Sequence, residues 1–322
     1  MLQDLLFIAL GFVILLLSGD ALVRGAVNLS LRLGVPALIV SLTIVAFGTS
    51  APELLISVKA ILDDSPGIAL GNVVGSNTAN VLMVLGVPAL LFSIQTSVCE
   101  TKKTYVIMIG STLFFIALCF AGPLTWWHGL LLLALLAVIL GDQFRQALAH
   151  RRAGEPVEEE EDLEGADPEM PGWQVAMWLV FGLVGLPLGA NILVDSAVDL
   201  ARDLGVSEAV IGLTMIAIGT SLPELATTVT AAYRRQADVI LGNVIGSNMF
   251  NLLAIIGVAA IVGPIPVEEN FVRLDLWVML AASLVLAPLV FMKLNMNRAW
   301  GIAFLAIYGL YLWMVVAQGA VA

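Results

Sequence analysis

Charge is scarce in this chain, and so are the residue types on which most soluble chemistry is built. Only 12% of the 322 residues are Asp, Glu, Lys or Arg, against 60% apolar, and the mean hydropathy is +1.01. A soluble domain of this length does not stay dispersed with so little charge, so the composition points to a membrane protein. The 14 basic residues form no patch, which removes a nucleic-acid partner. Two cysteines, Cys99 and Cys119, lack metal-ligand spacing and are too few for a disulfide framework. Two histidines stand alone, and His128, after Trp126 and Trp127, reads as interfacial. No HExxH or GxGD string is present, so an intramembrane hydrolase has no machinery; the chain reads as a non-enzyme that needs no cofactor.

The net charge of −11 is mostly local. Glu155, Glu158, Glu159, Glu160, Glu161, Asp162, Glu164, Asp167 and Glu169 share one short segment without the spaced Asp-x-Asp-x-Asp-Gly pattern of a calcium loop. That segment reads as a solvated tether.

What the chain has in abundance is apolar stretches near the length of about 20 residues that a bilayer requires. Ten spans are expected, at 5–24, 36–62, 67–93, 104–121, 124–142, 173–198, 207–233, 237–263, 271–291 and 298–318. The first lacks a positive leading region and a small-residue cleavage site, so it reads as a membrane helix and not as a removable signal. Ten spans place Arg24, Arg32, Lys102, Lys103, Arg145, Arg151, Arg152, Arg234, Arg235, Lys293 and Arg298 on one face, and only Lys59, Arg202 and Arg273 on the other. Basic loops stay cytoplasmic, so both termini are expected outside and the linker inside.

The sequence also repeats itself. LTIVAFGTSAPELL (42–55) aligns with LTMIAIGTSLPELA (213–226), and LGNVVGSNTANVLMVLG (70–86) with LGNVIGSNMFNLLAIIG (241–257). Both alignments are gapless at a shift of 171 residues, which sets Thr43 on Thr214, Gly71 on Gly242 and Asp20 on Asn191. Each copy holds five spans, an odd number, so the second enters the membrane inverted. Inverted repeats with broken helices are the architecture of secondary transporters. The expected fold is an all-α polytopic membrane protein of ten transmembrane helices in two inverted five-helix repeats. Residues 1–142 are the first repeat, 143–172 an acidic cytoplasmic linker and 173–322 the second repeat.

The repeated residues are the polar ones. Glu53 and Glu224 sit deep in their spans, where an acidic residue costs about 2.5–3.5 kcal/mol and marks a cavity or pathway. Pro52 and Pro223 clash with the carbonyls of Gly48 and Gly219, so each helix should break beside its glutamate. Thr49 and Ser50 share the face of Glu53, as Thr220 and Ser221 share that of Glu224. Asn72, Ser76 and Asn80 form a stripe at four-residue spacing, as do Asn243, Ser247 and Asn251. Asn77 and Asn248 read equally as helix–helix glue. Two carboxylates with many neutral oxygens, and no nitrogen or sulfur ligands, suit calcium or sodium. The pair carries −2, enough for one divalent or two monovalent ions, and a bound cation offsets the mutual repulsion of the carboxylates.

At these motifs the sequence resembles the cation/calcium exchanger family over essentially its full length, the prokaryotic sodium/calcium exchangers in particular. The resemblance implies ten helices, four central ion sites and electrogenic exchange of several sodium ions for one calcium. It implies that Glu53 and Glu224 are acidic ligands shared by calcium and sodium. Thr49, Ser50, Thr220 and Ser221 would be their hydroxyl and carbonyl neighbours, with Thr49 and Thr220 beside the glutamates on the metal. Ser76 and Ser247 would be ligands on the opposing helices, the carbonyls of Ala46 and Ala217 sodium ligands, and Asn80 the central amide. Asn251 departs from the family, which commonly has Asp there; this argues against potassium co-transport. The proton-coupled branch usually carries acidic and His residues after the GN of the second string. GNVVGSN and GNVIGSN stand here instead, so sodium is the expected coupling ion, with a proton-coupled calcium antiporter as the alternative. The implied partners are calcium, sodium and the bilayer, with no obligate protein partner.

Overall fold

A computed structural model describes residues 2–153, 167, 169–204, 217–269 and 271–319. Among them the chain is helices and connecting turns, with two isolated antiparallel bridges. Eight helices are long and apolar enough to cross a membrane. They are α1 (Leu2–Leu33), α4 (Pro66–Leu91), α5 (Lys102–Phe120), α6 (Trp126–Ala153), α7 (Gly172–Asp203), α9 (Ala237–Val262), α10 (Phe271–Phe291) and α11 (Arg298–Gly319). A ninth span is the bent pair α2 (Ala37–Thr49) and α3 (Ala51–Leu62), which meet at 42°. The tenth expected span, 207–233, lies partly outside the described residues; its described part holds a turn, Ala217–Thr220, and α8 (Leu222–Tyr233). The protein is multi-pass.

Several helices differ from the expected spans for definable reasons. Both α1 and α7 have 32 residues, about 48 Å at 1.5 Å per residue, and run well past a hydrocarbon core of about 30 Å. Hydropathy ended α1 at Arg24, but Asp20 and Arg24 pair with each other at 3.0 Å, one turn apart, and the helix continues. The two helices lie along one another. A Cβ on Gly11 would lie 2.8 Å from Leu193 Cβ, and one on Gly182 would lie 2.6 Å from Leu22 Cβ, so the backbones touch where both glycines fall. Similarly, α6 extends to Ala153 through QFRQALAHRRA, whose Gln, Ala, Leu and Arg residues favour helix. The expected linker thus begins as helix, while most of it, 154–166, lies outside the described residues. Its far end docks on α1: Asp167 N–H donates to Asn28 Oδ1 at 2.8 Å.

Local features recur at the 171-residue shift. The break residues Ser50 and Ser221 have φ, ψ of −84°, 6° and −87°, 4°. Asp64 and Arg235 both take the left-handed conformation, φ 55° and 58°. Ile94 bridges Met296, and its equivalent Ile265 bridges Leu124. The buried centre is formed by α4 and α9, whose apolar stretches are 83% buried, against 22–50% for those of the other six long helices.

Candidate ion-binding site

Each break places its carboxylate in the interior. Proline stands in the first turn of α3 and of α8, where its missing N–H costs no helical bond, and Glu53 and Glu224 follow in that same turn. The helix N-terminus directs free N–H groups and a partial positive charge toward the break, which favours an anionic side chain there. Glu53 is 1% exposed and Glu224 0%.

The breaks face the two central helices, and the contacts cross from one half of the chain to the other. Thr49 Oγ1 donates to Asn243 Oδ1 at 3.3 Å, and Ser50 Oγ to Glu224 Oε1 at 3.3 Å. Ser76 and Thr220 hydroxyls meet at 3.5 Å. Asn80 Nδ2 donates to Asn248 Oδ1 at 3.1 Å. Within the first half, Asn72 Nδ2 donates to the Glu53 carbonyl at 3.3 Å and to Ser57 Oγ at 3.1 Å. Thr49, Ser50, Ser76, Asn80, Thr220, Ser221, Ser247 and Asn251 are all buried, as is Ala46. Ala217 opens the turn before Ser221; its side chain is outside the described set.

Oxygen is left over at this centre. Among the described residues, both Glu53 carboxylate oxygens, Glu224 Oε2, Ser221 Oγ, Ser247 Oγ and Asn80 Oδ1 are buried without a hydrogen-bond partner, as are both polar atoms of the Asn251 amide. Native interiors rarely leave such groups unpaired, since each costs about 1–3 kcal/mol and a charged one more. Carboxylate, hydroxyl and amide oxygens together form a donor set for a hard cation.

Residues 4–144 and 174–317 match the family described as sodium/calcium exchanger protein. The chain belongs to that family. The exchanger is 38% identical over 292 residues to CaxA of Alkalimonas amylolytica, named as a candidate antiporter, covering 89% of each chain. It is 30% identical over 346 residues to the sodium/calcium exchanger MaX1 of Methanosarcina acetivorans, covering 96% of this chain and 97% of that one. A solved structure of the sodium-calcium exchanger NCX_Mj, soaked with zero sodium and calcium, superposes with a TM-score of 0.82 at 29% identity, covering 98% of this chain and 99% of that one.

Three features of the exchanger go beyond what its sequence pattern predicts. Single π-helical turns interrupt α2 at Ser41–Val45 and α9 at Asn251–Ile255; such turns often mark functional sites, and periodicity does not announce them. Thr228 bonds both its own helix, at Glu224 O, and Val84 O at 3.1 Å. Pro88 was the available signal, because it cannot donate to the carbonyl of Val84 and so releases it. Arg234, 7% exposed, pairs with Asp20 of α1 at 2.5 Å. No local pattern links residues so far apart.

Proposed function

We propose that the chain exchanges sodium for calcium across the cytoplasmic membrane by alternating access, with the ions held at a midplane site built on Glu53 and Glu224. The observation that carries this reading is the pair of buried carboxylates with oxygens lacking donors, met by neutral oxygens from the opposite half of the chain. Their total of −2 balances one calcium, or two sodium ions with neutral oxygens serving any further site. Family membership and the named exchangers support the choice of ions.

In this reading the chain is two inverted repeats, 1–142 and 173–322, joined by the 143–172 linker, with ten spans in all. The recurrence of break geometry and left-handed turns at one shift supports the repeat, as do the bridges of Ile94 and its equivalent Ile265, whose partners fall within one residue of that shift. Both termini lie outside and the linker is cytoplasmic, on the strength of the basic-residue segregation. Thr49, Thr220, Ser50, Ser221, Ser76, Ser247, Asn80 and Asn251, with the carbonyls of Ala46 and Ala217, complete the ion set. Opening toward either side then amounts to one half rocking against the other around this centre.

The test is radiolabelled calcium uptake into sodium-loaded proteoliposomes diluted into potassium or sodium medium. Uptake only down the outward sodium gradient, lost in Glu53→Gln and Glu224→Gln, is the expected result. Uptake that follows an imposed pH gradient and ignores sodium would assign proton coupling instead.

A further inference from the structure

A primary amide has an accepting oxygen and a donating nitrogen, and only the oxygen holds a cation. Nothing in Asn80 itself decides which of the two faces the site. Its Nδ2 donates to Asn248 Oδ1 at 3.1 Å, and its Oδ1 is buried without a hydrogen-bond partner. Asn248 is held in turn: its Nδ2 donates to Asn77 O at 3.4 Å, and its own backbone carbonyl accepts from Asn77 Nδ2 at 3.2 Å. Asn77, Asn80 and Asn248 are each 1% exposed, so water does not compete.

The direction of this chain of bonds is determined by its anchor. A backbone carbonyl only accepts, so Asn77 O requires the nitrogen of Asn248. The Asn248 oxygen then faces Asn80 and requires its nitrogen. Flipping either amide would set oxygen against oxygen in a dry interior, with no proton between them.

We propose that Asn248 is a positioning residue for cation binding: by occupying the Asn80 nitrogen it turns Asn80 Oδ1 toward the transported ion. The inference rests on the exchange site described above and assigns Asn248 a part in it. Under the repeat shift Asn77 stands to Asn251 as Asn248 stands to Asn80, yet both polar atoms of the Asn251 amide lack a hydrogen-bond partner among the described residues. One of the two central amides is therefore locked in this conformation and the other is not.

A double-mutant cycle on calcium KM tests this, using sodium-driven uptake in proteoliposomes with Asn80→Leu, Asn248→Leu and the double variant. Removing an orienting partner costs about 10- to 100-fold in metal affinity, so Asn248→Leu should raise the calcium KM by that factor. In the Asn80→Leu background the same change should alter KM by less than about twofold, because no amide remains to orient. An equal penalty in both backgrounds would reduce Asn248 to packing and overturn the proposal. If the leucine variant does not assemble, Asn248→Ser, too short to reach Asn80, goes through the same cycle with the same expectations. Wild-type vesicles without sodium-driven uptake would sink the exchange reading itself, whereas normal wild-type uptake with an unchanged KM in Asn248→Leu would sink only the positioning role.

Discussion

Asn77 and Asn248 lie 171 residues apart and trade the same bond, each side-chain amide donating to the other's backbone carbonyl, at 3.2 and 3.4 Å. Two inverted repeats would place such a reciprocal pair on the line where they meet. The Asn248 carbonyl also accepts the backbone N–H of Asn251, so losing the side-chain bond costs the net value of a hydrogen bond, about 0.5–1.5 kcal/mol. Asn77→Ser should lower unfolding stability in detergent by that amount. Asn248→Ser should cost more, because Asn80 loses its acceptor too.

The two break serines are equivalent in backbone but not in bonding. Ser50 Oγ supports Glu224, while Ser221 Oγ has no partner among the described residues. In cation-free buffer Ser50→Ala should destabilise by about 0.5–1.5 kcal/mol, the net value of a hydrogen bond, and Ser221→Ala should be neutral or stabilising. Thermal unfolding of both variants, with and without calcium, separates a structural bond from a ligand: only in calcium should Ser221→Ala fall behind wild type.

A cation that binds the folded protein alone must raise its stability. At 100 times the dissociation constant the gain is about 2.7 kcal/mol. Calcium and sodium should each shift the unfolding midpoint upward in wild type. Glu53→Gln should remove most of the calcium shift; a shift of undiminished size in that variant places the ion elsewhere.

Arg234 is buried against Asp20, which Arg24 also approaches at 3.0 Å. Taking away one partner of a buried pair strands the other charge, at about 3–5 kcal/mol when burial is complete. Asp20 is 30% exposed, so Arg234→Gln should cost less, about 1–3 kcal/mol. Asp20→Asn added to Arg234→Gln should recover part of the loss, as read by denaturation of the double variant.

Gly246 lets α9 lie directly on α2. A Cβ there would sit 2.6 Å from Ala46 Cβ and 2.6 Å from the Leu42 carbonyl, neither of which can swing aside. Gly246→Ala should cost about 1–3 kcal/mol through backbone displacement. Because the displaced segment carries Thr49, calcium uptake should fall more than the yield of folded protein does.

The sequence made the central polar residues legible because bilayer physics makes them conspicuous. Glu53, Pro52 and their equivalents are costly in an apolar span, and their recurrence at one shift exposed them as a set. What stayed hidden is pairing across the repeat. Asp20 and Arg234 map onto Asn191 and Asp63, so comparison of the two halves conceals their ion pair, which has no counterpart there. The full lengths of α1 and α7 were hidden as well, because charges that close on one another within the helix look like its end. The asparagines of the two central strings were readable as glue, but which atom each amide presents depends on a neighbour from the other half.

The cross-half contacts also impose an order on synthesis. Glu53 leaves the ribosome 171 residues before Glu224, which at about 5–20 residues per second is roughly 10–30 s. For nearly all of that interval the helix bearing Glu53 has to enter the bilayer with the wall formed by Asn243, Thr220 and Asn248 not yet made. Glu224, by contrast, arrives to find Ser50 and Ser76 already in place. The first half therefore bears a burden of biogenesis that the second escapes, and insertion-deficient variants should cluster around the earlier carboxylate.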